Sequence, residues 1–171
     1  MKRLLYLFCI FVPFSAHAAV ELEIDPFAFA LKGHSFHIAL AGDRLRADWG
    51  SYGLVLDKAP GNPDFKAAMN GSGLKLDYLF VNSSMFAGVT WDQGELALSC
   101  PDCDSSQEET RQFTGQGIRL GMNLGTNNGY LSPWLGVSKV RLKGGPVQIE
   151  DQTYQPPKLQ FFPTIHLGYR F

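Results

Sequence analysis

The sequence predicts an all-β chain, a transmembrane antiparallel up-and-down β-barrel of about eight strands. Three observations lead there. From Leu159 to Phe171 the chain alternates, with Leu159, Phe161, Pro163, Ile165, Leu167, Tyr169 and Phe171 on one face and Gln160, Phe162, Thr164, His166, Gly168 and Arg170 on the other. A period of two marks a strand whose faces meet different solvents, and a membrane barrel turns the apolar face to lipid. Residues 1–18 read as a secretory signal peptide, from Lys2 and Arg3 through apolar Leu4 to Phe14 to the Ala16-His17-Ala18 cleavage pattern. That apolar stretch falls well short of the ~20 residues of a spanning helix. Finally, 13 Phe, 6 Tyr, 3 Trp and 18 Gly, with no long apolar run after the signal, suit many short amphipathic strands. Residues 19–171 are enough for one domain.

The strands follow in order. The first runs from Leu22 to Leu31, interrupted by Pro26, with either face able to point outward. The second, Ser35 to Ala41, sets Phe36, Ile38 and Leu40 against Ser35, His37 and Ala39, and a short turn at Gly42-Asp43-Arg44 leads into the third. The third, Leu45 to Leu56, opposes Leu45, Ala47, Trp49 and Val55 to Arg46 and Asp48. A loop from Lys58 to Ser72, rich in Pro and Gly, precedes the fourth strand, Gly73 to Val81, with Leu74, Leu76, Tyr78 and Phe80 against Lys75 and Asp77. After Asn82-Ser83-Ser84 the fifth runs from Met85 to Leu98, directing Met85, Ala87, Val89 and Trp91 to lipid. The loop from Cys100 to Arg111 comes next, then the sixth strand, Phe113 to Leu124, with Ile118, Leu120 and Met122 outside and Gly117, Arg119 and Gly121 inside. The turn Gly125-Thr126-Asn127-Asn128 opens the seventh, Tyr130 to Leu142, because Gly and Asn tolerate positive φ. A polar loop from Gly144 to Lys158 leads to the eighth, Leu159 to Phe171. Short and long connections alternate, as in barrels with both termini in the periplasm.

With Ile165, Leu167 and Tyr169 at every second position before a terminal Phe171, the last strand resembles the assembly signal of outer-membrane barrels. Across the mature chain the pattern is similar to the small OmpA- and OmpX-type barrels. That resemblance implies the outer membrane of a bacterial cell, contact with its lipid and lipopolysaccharide, and the barrel-assembly machinery as a partner during insertion. It implies no cofactor.

The inward faces collect Arg46, Lys75, Arg119 and Arg170 beside Asp48, Asp77 and Asp92, with Glu23 or Asp25 able to join them. Mixed signs in a lumen this narrow predict an interlocked ion-pair network plugging the barrel, whereas selective pores favour one sign. The function expected is therefore non-enzymatic, structural or surface-interacting. A conduit for small hydrophobic molecules is the alternative, and a lipid A-modifying acyl hydrolase or transferase the second. Nothing in the net charge of −1 invites nucleic acid.

Local motifs receive bland readings. Cys100-Pro101-Asp102-Cys103 is expected to form a loop disulfide in an exported chain, since no helix end is at hand to activate a thiol and Asp102 and Asp104 offer little for a metal. His34, Ser35, His37 and His166 are expected as hydrogen-bonded lumen or loop residues, because acyl transfer needs nucleophile, base and acid together at the lipid face. Gly115, Gly117 and Gly121 make room inside the sixth strand, with no helix to complete a nucleotide site. Trp91, Trp134, Tyr78 and Tyr130 are read as interfacial aromatic belts.

Overall fold

The computed structural model describes residues 18–103, 107–126 and 128–171. The signal segment, apart from Ala18, lies outside the described residues. In chain order the elements are β1 (Ala19–Ile24), α1 (Pro26–Ala30), β2 (His34–Ala41), β3 (Leu45–Leu56), β4 (Lys66–Leu79), β5 (Met85–Ser99), β6 (Glu108–Met122), β7 (Leu124–Thr126), β8 (Gly129–Leu142), β9 (Val147–Ile149), β10 (Gln152–Tyr154) and β11 (Gln160–Arg170). Each wall strand is antiparallel to its neighbours, and β11 pairs with both β8 and β1. The sheet therefore closes on itself as a ring of eight strands, β1 to β6, β8 and β11, with the short β7 appended to β8.

Alternation along each strand separates two solvents. Leu22, Phe36, Trp49, Leu76, Leu120 and Leu167 stand exposed on the outside, whereas Glu23, Arg46, Asp48, Asp77, Arg119 and His166 are buried inside. An apolar belt encircling the ring would be untenable in water and is the surface a barrel offers to lipid. No helix among the described residues is long and apolar enough to cross a membrane; the strands make the crossing.

The wall is uneven in height. Strands β4, β5 and β6 have 14, 15 and 15 residues, more than the ~9–11 that span a bilayer, while β1 and β2 have 6 and 8. The expected strand from Leu22 to Leu31 is thus corrected. It begins at Ala19 and stops at Ile24, because Asp25 caps a helix: its carboxylate accepts the Phe27 N–H at 2.8 Å, and Pro26 occupies the first turn.

Two further corrections concern the loop end of the barrel. The fourth strand starts at Lys66 rather than Gly73 and the sixth at Glu108 rather than Phe113, so both rise well above the belt. The segment expected as a polar loop from Gly144 to Lys158 contains the β9–β10 hairpin. Gly144 and Gly145, at φ of 89° and 86°, make the turn that sends the chain back over the barrel mouth.

Candidate functional site

The lumen is layered, and each layer follows from which inward residues meet at one height. Nearest the termini lies an ion-pair floor. Arg46 donates through Nε to Glu21 at 2.6 Å, reaches Glu23 at 2.7 Å, and meets Asp48 and Asp77 at 3.2 Å each. Arg119 binds Asp77 bidentately, with Nε at 2.8 Å, and its guanidinium lies 5.1 Å from the Phe86 and Trp134 rings. Lys75 donates to Asp48 at 3.1 Å, and Arg170 donates to Glu21 at 2.5 Å. Tyr130 Oη stands 2.9 Å from both Glu21 and Glu23, which share its single proton. The register explains the convergence: Arg46 stands opposite Asp77, and Asp48 opposite Lys75, across β3 and β4.

Of the charged residues expected here, Arg46, Asp48, Lys75, Asp77, Arg119 and Arg170 meet in this network. Asp92 does not; it lines the lumen beside Thr90 and joins no ion pair among the described residues. Glu23 is included, Asp25 serves as the helix cap, and Glu21 is an additional member that sequence reasoning misses because it starts the first strand only at Leu22. Tyr130 and Trp134 are likewise lumen residues rather than belt aromatics, while Tyr78 and Trp91 are exposed on the outer face. Small residues make the space. A Cβ on Gly168 would lie 2.2 Å from the Tyr130 ring, and one on Gly121 would lie 2.5 Å from Phe86.

Above the floor, His37 links three groups. Its Nε2 is 3.1 Å from Ser35 Oγ, its Nδ1 is 3.1 Å from Asp48 Oδ1, and Lys75 Nζ stands 2.8 Å from that same Nδ1. Ser35 Oγ also accepts the Asp25 N–H at 3.2 Å. A Cβ on Gly50 would lie 1.9 Å from His37 Nδ1, so glycine is what lets the ring stack into this position, 4.7 Å from His166. His166 in turn bonds Glu23 at 2.8 Å. His34 stands apart, its ring 6.3 Å from Phe36.

These polar side chains form the base of a chamber of about 350 Å³ whose walls are mainly apolar, among them Ala28, Leu31, Leu54, Met69, Val140 and Phe162. The expected plug therefore occupies only part of the lumen. Several residues lining it, among them Ala28, Gly115, Gly136 and Ser138, are small, and the chamber is the space they leave.

A packed lid closes the loop end. Phe65, Val147, Ile149 and Tyr154 are buried against the inward Ala67, Leu96, Leu98 and Phe113 of the tall strands. The Phe65 and Tyr154 rings lie 5.7 Å apart, and Tyr154 Oη donates to the Pro60 carbonyl at 3.2 Å. Burial pushes the Tyr154 phenol above its ordinary pKa.

Cys100 and Cys103 are bridged beside this lid, with Cα atoms 5.4 Å apart. Asp104 lies outside the described residues. So small a ring removes little entropy from the unfolded chain. The Cys100→Ser, Cys103→Ser double variant is expected to insert and fold normally while the loop between β5 and β6 becomes more protease-sensitive. Global loss of the folded, heat-modifiable form on gel electrophoresis would contradict that.

No protein-family model matches the chain, and no curated protein matches it. Among solved structures, the chain is similar to the crystal structure of a major outer membrane protein from Thermus thermophilus, at 14% sequence identity and a TM-score of 0.45, over 91% of this chain and 100% of that one.

Proposed function

We propose that this chain is an integral outer-membrane barrel that does not conduct ions and that holds a small apolar molecule in its lumenal chamber. Its termini and short turns lie in the periplasm and its lid faces outward. The observation that carries the reading is the layering itself, an apolar chamber with an ion-pair floor below and a packed lid above. A volume of about 350 Å³ sits at the lower end of the ~300–1,000 Å³ usual for small-molecule pockets. A conduit straight along the barrel axis is disfavoured by the floor, where Arg46, Asp48 and Asp77 are all buried.

The contact chain from Ser35 through His37 to Asp48 favours a second reading, acyl hydrolysis, on distances alone. Charge argues against it. Transfer of the Ser35 proton to His37 would create an imidazolium 2.8 Å from the Lys75 ammonium, and like charges so close oppose each other. We read the chain as holding the Ser35 hydroxyl in place at the chamber base. Saturable binding of aminoanthracene to the purified barrel, weakened by Ala28→Phe, is expected; absence of any saturable binding would refute the chamber reading.

A further inference from the structure

The chamber lies between the ion-pair floor and the packed lid, and the wall beside it is incomplete. Strand β1 pairs with β11 only from Glu21↔Arg170 to Ile24↔Leu167, and with β2 only as far as Glu23↔His37. Beyond Ile24, β11 continues to Gln160 with a partner on its β8 side alone, and β2 continues to His34 with a partner on its β3 side alone. The sheet thus has a notch, and α1 stands in it.

Backbone direction defines the notch edge. Arg170 N–H donates to Asn128 at 2.7 Å, on the β8 side, and Phe171 N–H donates to Val20 at 2.9 Å, on the β1 side. Since N–H directions alternate along a strand, the odd-numbered residues of β11 face the notch. Phe161 and Ile165 present N–H groups there, and between them Pro163 has none, the residue type suited to an unpaired edge. Open sheet edges are not left bare in a bilayer. Here α1 covers the edge through side chains: Thr164 Oγ1 donates to Asp25 at 2.5 Å, Asp25 N–H donates to Ser35 Oγ, and Ala28 is buried. No backbone hydrogen bond joins α1 to β11 among the described residues.

What lies outside the notch is lipid. Phe27, Phe29 and Phe161 are exposed around it at 52%, 44% and 67%, while Phe27, Ala28, Pro163 and Thr164 also line the chamber within. The chamber and the bilayer thus share one boundary, made of side-chain contacts rather than sheet. The chamber base offers hydrogen-bonding groups, Ser35, His37, Lys75 and His166, with Thr90 opposite Lys75 across β4 and β5. Trp134 also lines the chamber, with a buried Nε1–H that has no hydrogen-bond partner among the described residues.

Resting on the chamber reading above, we propose that this site takes the hydrocarbon chain of a single-chain amphiphile with a small hydrogen-bonding head, admitted sideways from the bilayer through the notch beside α1. Two-chain lipids are too large for about 350 Å³. The protein's three Trp provide the test, because Trp49 and Trp91 are lipid-facing whereas Trp134 lines the chamber. In bilayers containing the Trp49→Phe, Trp91→Phe protein, dibromoundecanoate supplied in the lipid is expected to quench Trp134 saturably, in competition with undecanoate. Quenching by dibrominated phosphatidylcholine at equal bromine content, which reports quenching through the wall, should be weaker and linear. Ala28→Phe in α1, or Ser138→Phe on β8, should remove the saturable part alone. Equal, non-saturable quenching by both bromides, with aminoanthracene still bound, would overturn the sideways route and leave the chamber reading standing. Failure of aminoanthracene and dibromoundecanoate alike would overturn both.

Discussion

Asp77→Ala is expected to destabilise the folded barrel by about 3–5 kcal/mol, the range for stripping one partner from a buried ion pair. Asp77 is fully buried and receives both Arg119, bidentately, and Arg46 at 3.2 Å. Its loss leaves Arg119 with Asp48 at 3.9 Å as its remaining carboxylate among the described residues. Most of the penalty comes from the stranded guanidinium, so Asp77→Ala combined with Arg119→Ala should cost less than the sum of the single changes. Denaturant-induced unfolding in lipid vesicles, followed by Trp emission, measures all three variants. A single-variant cost below about 1 kcal/mol, as for exposed pairs, would mean that water rather than protein satisfies the floor.

Phe171→Asp is expected to abolish most accumulation of the inserted protein in cells while sparing refolding into vesicles. Phe171 is 69% exposed and packs edge-on against Tyr169 with ring centroids 4.9 Å apart, so it contributes little burial to the folded wall. A charge on the lipid face near a bilayer interface costs only ~0–1 kcal/mol. A large loss in cells against a small loss in vitro would then report on recognition of the terminal strand by the assembly machinery rather than on stability. Normal yields of heat-modifiable protein in the outer-membrane fraction would contradict the signal-strand reading.

The wall strands are legible in the sequence because each separates lipid from a polar lumen, which imposes a period of two along the chain. Facing is less secure where residue type overrides parity. Tyr130 and Trp134 resemble belt aromatics by type, although Leu131 and Leu135 already claim the outer face of the same strand. Asp25-Pro26 holds the signal for α1, an N-cap followed by a first-turn Pro, but the apolar residues around it also suit a strand that Pro26 interrupts. The β9–β10 hairpin escapes because its strands have three residues each, too few to establish a period, and only Val147, Ile149 and Tyr154 betray a buried face. The contacts of Ser35, His37, Asp48 and Lys75 depend on cross-strand register, which alternation alone leaves free. The chamber and the notch are harder still, since both arise from strand lengths and side-chain sizes compared around the ring.

The most direct test of the closed-lumen account is the conductance of the purified, folded protein in planar bilayers. On the proposed reading, a floor with Arg46, Asp77 and Arg119 all buried and a lid with Phe65 and Tyr154 buried would together block a water path along the axis. The account predicts no stepwise current increases as protein inserts, at any salt concentration. Reproducible steps that scale with salt and carry an ion preference would contradict it.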